Sequence, residues 1–132
     1  MKLCSVYDVI NSPAILYRLL SERELHQNIS HKRMPTPAEH MAFFVSKPYA
    51  AWYLIDVDGK WIGTCYMSHR REVGIYIFRE HQRRGHGTAA LKALMALHPG
   101  RFLANIAPLN LNSKDFFYEH GFRKIQETYE YP

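Results

Sequence analysis

Residues 72 to 97, EVGIYIFREHQRRGHGTAALKALMAL, constrain the fold more tightly than any other stretch of the chain. The run EVGIYIF (72–78) is rich in β-branched and aromatic residues, which suits a strand. GTAALKALMAL (87–97) consists of good helix formers and ends before His98-Pro99-Gly100. Between them, Gly85 and Gly87 stand beside Arg83 and Arg84. Glycine costs backbone entropy and adjacent arginines repel, so such a loop asks for a counter-charge. A helix begins with unpaired N–H groups and about half a positive charge, and glycine lets a ligand approach the backbone closely. Strand, glycine loop and helix together predict a site for a bound phosphate chain.

The flanking segments predict the rest of a layered chain. Ser12-Pro13 sets a cap residue before a proline at the first helical position, so PAILYRLLSERELH is expected to be helical from 13 to 26. NISHKRMP reads as loop. Thr36-Pro37-Ala38-Glu39 is a capping box opening a short helix through Ser46. AAWYLIDVDGKWIGTCYMS holds two β-rich runs around Asp58-Gly59, a strong hairpin signal. RFLANIA (101–107) is expected as a fourth strand, NSKDFFYEH as a helix stopped by Gly121, and FRKIQETYEY as a last strand. The order α-α-β-β-β-α-β-α-β implies a mixed α/β (α+β) fold, a mixed sheet covered by helices.

The chain's 132 residues fit one domain, 1–132, with a real core, and 47% hydrophobic residues exclude large-scale disorder. No apolar run approaches the ~20 residues of a membrane helix. MKLCSVYDVINSP breaks at Asp8 and Asn11, so it does not read as a secretory signal. Cys4 and Cys65 are too few for a disulfide framework, which points to a reducing, cytoplasmic location. A net charge of +5 suits anionic partners, and equally suits plain solubility. His26/His31 and His81/His86 are five apart, with no H-E-x-x-H or Cys-His cluster, so no metal is expected.

Three phosphate-binding patterns compete for the loop. The Walker type lacks its Gly-Lys-Ser/Thr ending. A dinucleotide fingerprint is met loosely by GHGTAA, but residues 79 to 84 separate strand from glycine, and residues 100 to 114 hold no acid for a ribose. The third pattern, Q/R-x-x-G-x-G/A, is met by QRRGHG (82–87) letter for letter. Here the chain resembles the GNAT acetyltransferase superfamily. NLNSKDFFYEHGF is similar to that family's second signature, and DGKWIGTCYM to its hairpin strands; the resemblance covers roughly residues 36 to 130. Arg79 stands where a proline is usual.

The resemblance implies a sheet splayed at its middle strand with helices on both faces, and acetyl transfer from acetyl-CoA to an amine in a ternary complex. Ile75 and Ile77 would offer backbone groups to the pantetheine arm. Gln82, Arg83, Arg84, Gly85, Gly87 and Thr88 would hold the pyrophosphate, and Asn110 would lie near the arm or cap the last helix. The family's tyrosine acid falls at Phe117, so Tyr118, one residue on, is the candidate proton donor, with water as the other. Glu72 is the candidate base, with His69 nearby. The acceptor is an amine on a small molecule, such as a nucleotide-linked amino sugar, or on a macromolecule. Arg18, Arg23, His31, Lys32, Arg33, Arg70 and Arg71 would form a basic rim beside it. Two other readings stay open: a nucleic-acid binder or modifier using Tyr49, Trp52, Tyr53 and Trp61, and a CoA sensor without activity. No membrane partner is expected, and the chain is read as monomer or homodimer.

Overall fold

The computed structural model describes residues 1–23 and 33–132. Strands β1 (Lys2–Ser5), β2 (Ala51–Val57), β3 (Lys60–Met67) and β4 (Val73–Ile77) form an antiparallel sheet in that order. The helices are α1 (Ser12–Glu22), α2 (Pro37–Val45), α3 (His86–Leu97) and α4 (Leu111–Glu119).

Local chemistry accounts for most of these boundaries. The β2–β3 turn places Asp58 at φ 52° and Gly59 at φ 80°. Two left-handed residues give the twist a two-residue hairpin needs, and the Gly59 N–H donates to Asp56 Oδ1 at 2.9 Å. At α2 the capping box closes both ways: the Glu39 N–H donates to Thr36 Oγ1 (3.1 Å), and the Thr36 N–H to Glu39 Oε1 (2.9 Å). The helix expected over 13–26 starts one residue earlier, at Ser12, whose buried hydroxyl donates to the Val6 carbonyl. The helix ends at Glu22, where Arg23 turns extended, short of the expected 26, and residues 24–26 lie outside the described residues.

Both faces of the sheet are covered, so its strands are apolar on both sides. On one face Ile55, Cys65, Met67, Val73 and Ile77 pack with Ala90, Leu91 and Leu94 of α3 and Phe117 of α4. On the other, Trp52, Leu54 and Phe78 pack with Val6 and with Leu16 and Leu19 of α1. Fully burying one such leucine contributes roughly 1.5–3 kcal/mol.

Three elements differ from the sequence-based expectation. β1 was not anticipated; it is four residues long and exists because β2 offers Tyr53–Asp56 as an antiparallel partner. The expected fourth strand, 101–107, is reduced to one parallel bridge, Leu103 to Glu72. The expected last strand forms no ladder: Phe122 packs on Phe117 at 5.1 Å, and beyond it Ile125 is 57% exposed and Tyr129 85%.

The second difference shapes β4. The Ser68 N–H bonds the Glu72 carbonyl and the Phe78 N–H bonds the Ile62 carbonyl, which fixes the alternation of the ladder. Even-numbered residues of β4 turn their polar groups to β3, and odd-numbered ones turn them outward. Val73 uses the outer side to bond Leu103 (2.8 Å). Past that bond the neighbouring segment departs, and the outer main-chain groups of Ile75 and the Ile77 N–H have no backbone partner among the described residues, while Gln82 reaches the Ile77 carbonyl. The sheet splays there.

Candidate active site

The open edge of β4 leads directly into the arginine-glycine loop. A 3-10 turn, Arg79–His81, follows the strand. It is fastened to α1: the Arg79 N–H donates to Glu22 Oε1 (2.9 Å) and Arg79 Nη2 to the Glu22 carbonyl (2.8 Å). Gln82 then folds back, its Nε2 donating to the Ile77 carbonyl at 2.8 Å. Arg83 (φ 62°) and Gly85 (φ 80°) are both left-handed, so the main chain curls before α3.

Gly85 is the N-cap of α3, and no side chain caps this end. The Ala89 N–H already bonds the Gly85 carbonyl (3.1 Å), which leaves the amides of His86, Gly87 and Thr88 as first-turn donors. A Cβ on Gly85 would meet nothing within 4 Å, so the backbone, not space, demands glycine there. Gly87 is tighter: a Cβ would lie 3.4 Å from the Phe116 ring. Arg83 and Arg84 are exposed, and neither joins an ion pair with a described residue. The arrangement is an anion cradle at the end of an open polar strand edge.

The other predicted residues surround it with clear structural duties. Asn110 is buried and caps α4, its Oδ1 accepting from the Ser113 N–H at 3.2 Å. Glu72 sits at the joint of the splay, one carboxylate oxygen accepting from Ser68 Oγ (3.0 Å) and the other from Asn105 Nδ2. On α4, Phe117 takes the inward position (8% exposed) and Tyr118 points out (77% exposed). His69 is exposed in the β3–β4 turn.

The basic rim is split: Arg23 and Arg33 border one cavity between the sheet and the α1–α2 pair, and its other described residues lie apart from it. Arg18 lies over the Phe78 ring, Arg33 pairs with Glu39, and Arg71 donates to the carbonyls of Arg101 (2.7 Å) and His98 (2.5 Å). His31 and Lys32 lie outside the described residues. The hairpin aromatics serve packing: Trp52 is 7% exposed, and Tyr49 stacks on Tyr66 with centroids 4.0 Å apart. Among the described residues no group of three or more metal-binding side chains occurs, and no helix is long and apolar enough to cross a membrane.

Sequence reasoning missed a second feature. Gly74, Ile75 and Tyr76 of β4 also border a cavity of about 420 Å³ between the sheet and the α1–α2 pair, where His40 is a lining residue. A single histidine inside an apolar helical pattern gives no signal of this kind, because it is indistinguishable from a core residue.

A family model described as acetyltransferase (GNAT) matches residues 15–122. No curated protein matches. Among solved structures, an aminoglycoside antibiotic 6'-N-acetyltransferase from Acinetobacter haemolyticus is 17% identical with a TM-score of 0.75, covering 100% of this chain and 97% of its own. A ribosomal-protein-alanine N-acetyltransferase from Brucella melitensis is 14% identical with a TM-score of 0.68, covering 95% and 85%. The yncA protein of Salmonella typhimurium, solved with its cofactor acetyl-CoA, is 18% identical with a TM-score of 0.64, covering 92% and 77%. These structures share the fold, while the family model spans the hairpin, the splayed strand, the curled loop and the last helix together. On that span the chain belongs to the GNAT family of acetyltransferases.

Proposed function

We propose that the protein is an acetyl-CoA-dependent N-acetyltransferase, a single domain over residues 1–132 in the cytoplasm, that passes an acetyl group directly to a primary amine with both reactants bound. One observation carries this reading: the strand edge left open at Ile75 and at the Ile77 N–H runs into an uncapped helix start, preceded by the left-handed residues Arg83 and Gly85 and flanked by two arginines. An extended edge followed by a ring of N–H donors fits a long arm that ends in a pyrophosphate. Gln82, Arg83, Arg84, Gly85, Gly87 and Thr88 would hold that end, and Ile75, Ile77 and Asn110 the arm.

Bound there, acetyl-CoA supplies an acetyl group already activated as a thioester. The work left to the chain is placement and proton handling. An outward N–H of β4 polarises a carbonyl laid against it. Glu72, held by Ser68 and Asn105, accepts the amine's proton at a carboxylate oxygen through water. Tyr118 supplies a proton from its hydroxyl, with water as the competing donor; unchanged turnover in Tyr118→Phe assigns the step to water.

Thermal unfolding with added ligand tests the site. Acetyl-CoA at about a hundred times its Kd adds about 2.7 kcal/mol of stability, seen as a rise in Tm, whereas NAD and ATP leave it unmoved. Gly85→Asp brings a carboxylate to the cradle and abolishes the acetyl-CoA shift; a normal shift in that variant refutes the assignment. Thiol release with an amine present separates an enzyme from a coenzyme sensor.

A further inference from the structure

Glu22 is the last residue of α1, and the helix itself gains nothing from it there. A carboxylate at a helix C-terminus faces the negative end of the dipole, beside carbonyls that lack intrahelical partners. No basic residue stands in the helix's own last turn to offset either. What explains Glu22 is what it reaches outside the helix.

It reaches the junction where β4 gives way to the arginine-glycine loop. Glu22 Oε1 accepts from the Arg79 N–H at 2.9 Å, and the Glu22 carbonyl accepts from Arg79 Nη2 at 2.8 Å. Arg79 thus brings, from 57 positions away, the cation that the end of α1 lacks. One helical turn earlier on the same face of α1, Arg18 lies over the Phe78 ring at 4.6 Å. Phe78 is itself buried, with its N–H on the Ile62 carbonyl. One face of α1 therefore grips the two residues that follow β4.

The loop beyond needs such a restraint. The 3-10 turn Arg79–His81 gets no side-chain cap from Phe78, and the Glu22 carboxylate takes its first N–H instead. Arg83 is a non-glycine residue at φ 62°, a conformation that persists only where the surroundings hold it. Gln82, bonded to the Ile77 carbonyl, holds the loop from the strand side, and Glu22 holds it from the helix side.

We propose that Glu22 and Arg79 are positioning residues for the coenzyme. Their clasp fixes the direction in which the chain leaves β4, so that Arg83, Arg84 and the first amides of α3 face the pyrophosphate before it binds. The inference rests on the acetyltransferase reading. Both residues act through the loop, and ordering that would otherwise weaken binding is completed on folding. A covalent restraint can replace the clasp. Arg79 opens its turn after Phe78 at ψ 139°, where the fixed φ of a proline ring fits and the missing N–H is no loss once the Glu22 carboxylate is gone.

Calorimetry with acetyl-CoA and with S-acetylpantetheine, the same thioester arm without pyrophosphate and nucleotide, tests the clasp with no amine present. Glu22→Ala is expected to weaken acetyl-CoA binding about tenfold, the worth of one hydrogen bond to a charged group, and to leave S-acetylpantetheine unchanged. Glu22→Gln keeps an oxygen acceptor and recovers most of the affinity. Adding Arg79→Pro to Glu22→Ala also recovers it, because the ring restores the restraint without the bond. If Glu22→Ala does not fold, Arg79→Met, which removes the Nη2 bond alone, is held to the same pattern. Unchanged acetyl-CoA affinity, equal losses for both ligands, or no recovery with proline overturns the proposal. If acetyl-CoA does not bind the native protein, the function reading falls, and hydrogen exchange of the unliganded protein decides the clasp. Faster exchange confined to residues 79 to 88 in Glu22→Ala upholds it, and unchanged or general exchange ends it.

Discussion

Gly74 and Gly85 are required for opposite reasons, and the difference can be measured. Gly85 has open space around it but a φ of 80°, whereas Gly74 carries no positive φ and has the Tyr66 ring where a side chain would go. Gly74→Ala is therefore an overpacking change, expected to cost about 1–3 kcal/mol. It lowers Tm and leaves the acetyl-CoA shift intact. Gly85→Ala strains only the backbone, by about 1–2 kcal/mol, and its loss appears in coenzyme binding. The paired measurement is thermal unfolding with and without acetyl-CoA; an identical pattern in both variants would show that the two positions do not serve separate sites. The sequence makes one of these glycines legible and hides the other. Gly85 sits in a motif with charged neighbours, but Gly74 is explained by a ring on the adjacent strand, eight positions earlier, which no local pattern reports.

Elements whose boundaries are set by their own residues are those the sequence predicts. The β2–β3 hairpin, α2 with its capping box and α3 after its glycines follow from turn and cap chemistry within a few positions. β1, the single bridge at Leu103 and the unpaired tail depend on partners far along the chain, so β-rich composition misleads in 101–107 and 122–131. The capping box offers a test at this scale, because α2 carries Glu39 and His40 over the cavity. Thr36→Ala removes the side-chain cap, at a cost of about 1 kcal/mol. The expected result is a lower Tm with unchanged acetyl-CoA affinity. Acid acts on the same corner: Arg33 and the Thr36 bonds hold the Glu39 carboxyl down to about 2. Its contribution is present above the ordinary carboxylate range and is lost as pH falls through that range toward 2.

In the whole molecule β4 is shared between two halves. Its outer edge leads to the loop and α3, and its side near α1 and α2 closes the cavity. The sequence announced the first half through a contiguous motif. The second half is assembled from α1, α2 and three strands, and no short window contains it. This division predicts how the molecule responds to pH. His40 is buried between the helices, its ring 5.3 Å from that of Tyr17, and burial pushes its pKa below the ordinary value of 6.5. The unfolded chain takes up this proton near 6.5, whereas the folded chain does so only at lower pH. Stability from the neutral ring is therefore complete above 6.5 and declines below it, by at most about 1.4 kcal/mol per pH unit for one proton. The nearby Arg33–Glu39 pair keeps its charges across this range, since Glu39 is held near 2. Urea midpoints at pH 8, 6.5 and 5 measure the decline, and His40→Phe removes the part due to this ring while the other histidines still titrate. Native and variant proteins that lose stability in parallel between pH 6.5 and 5 would show that the ring between α1 and α2 is not the group that resists the proton.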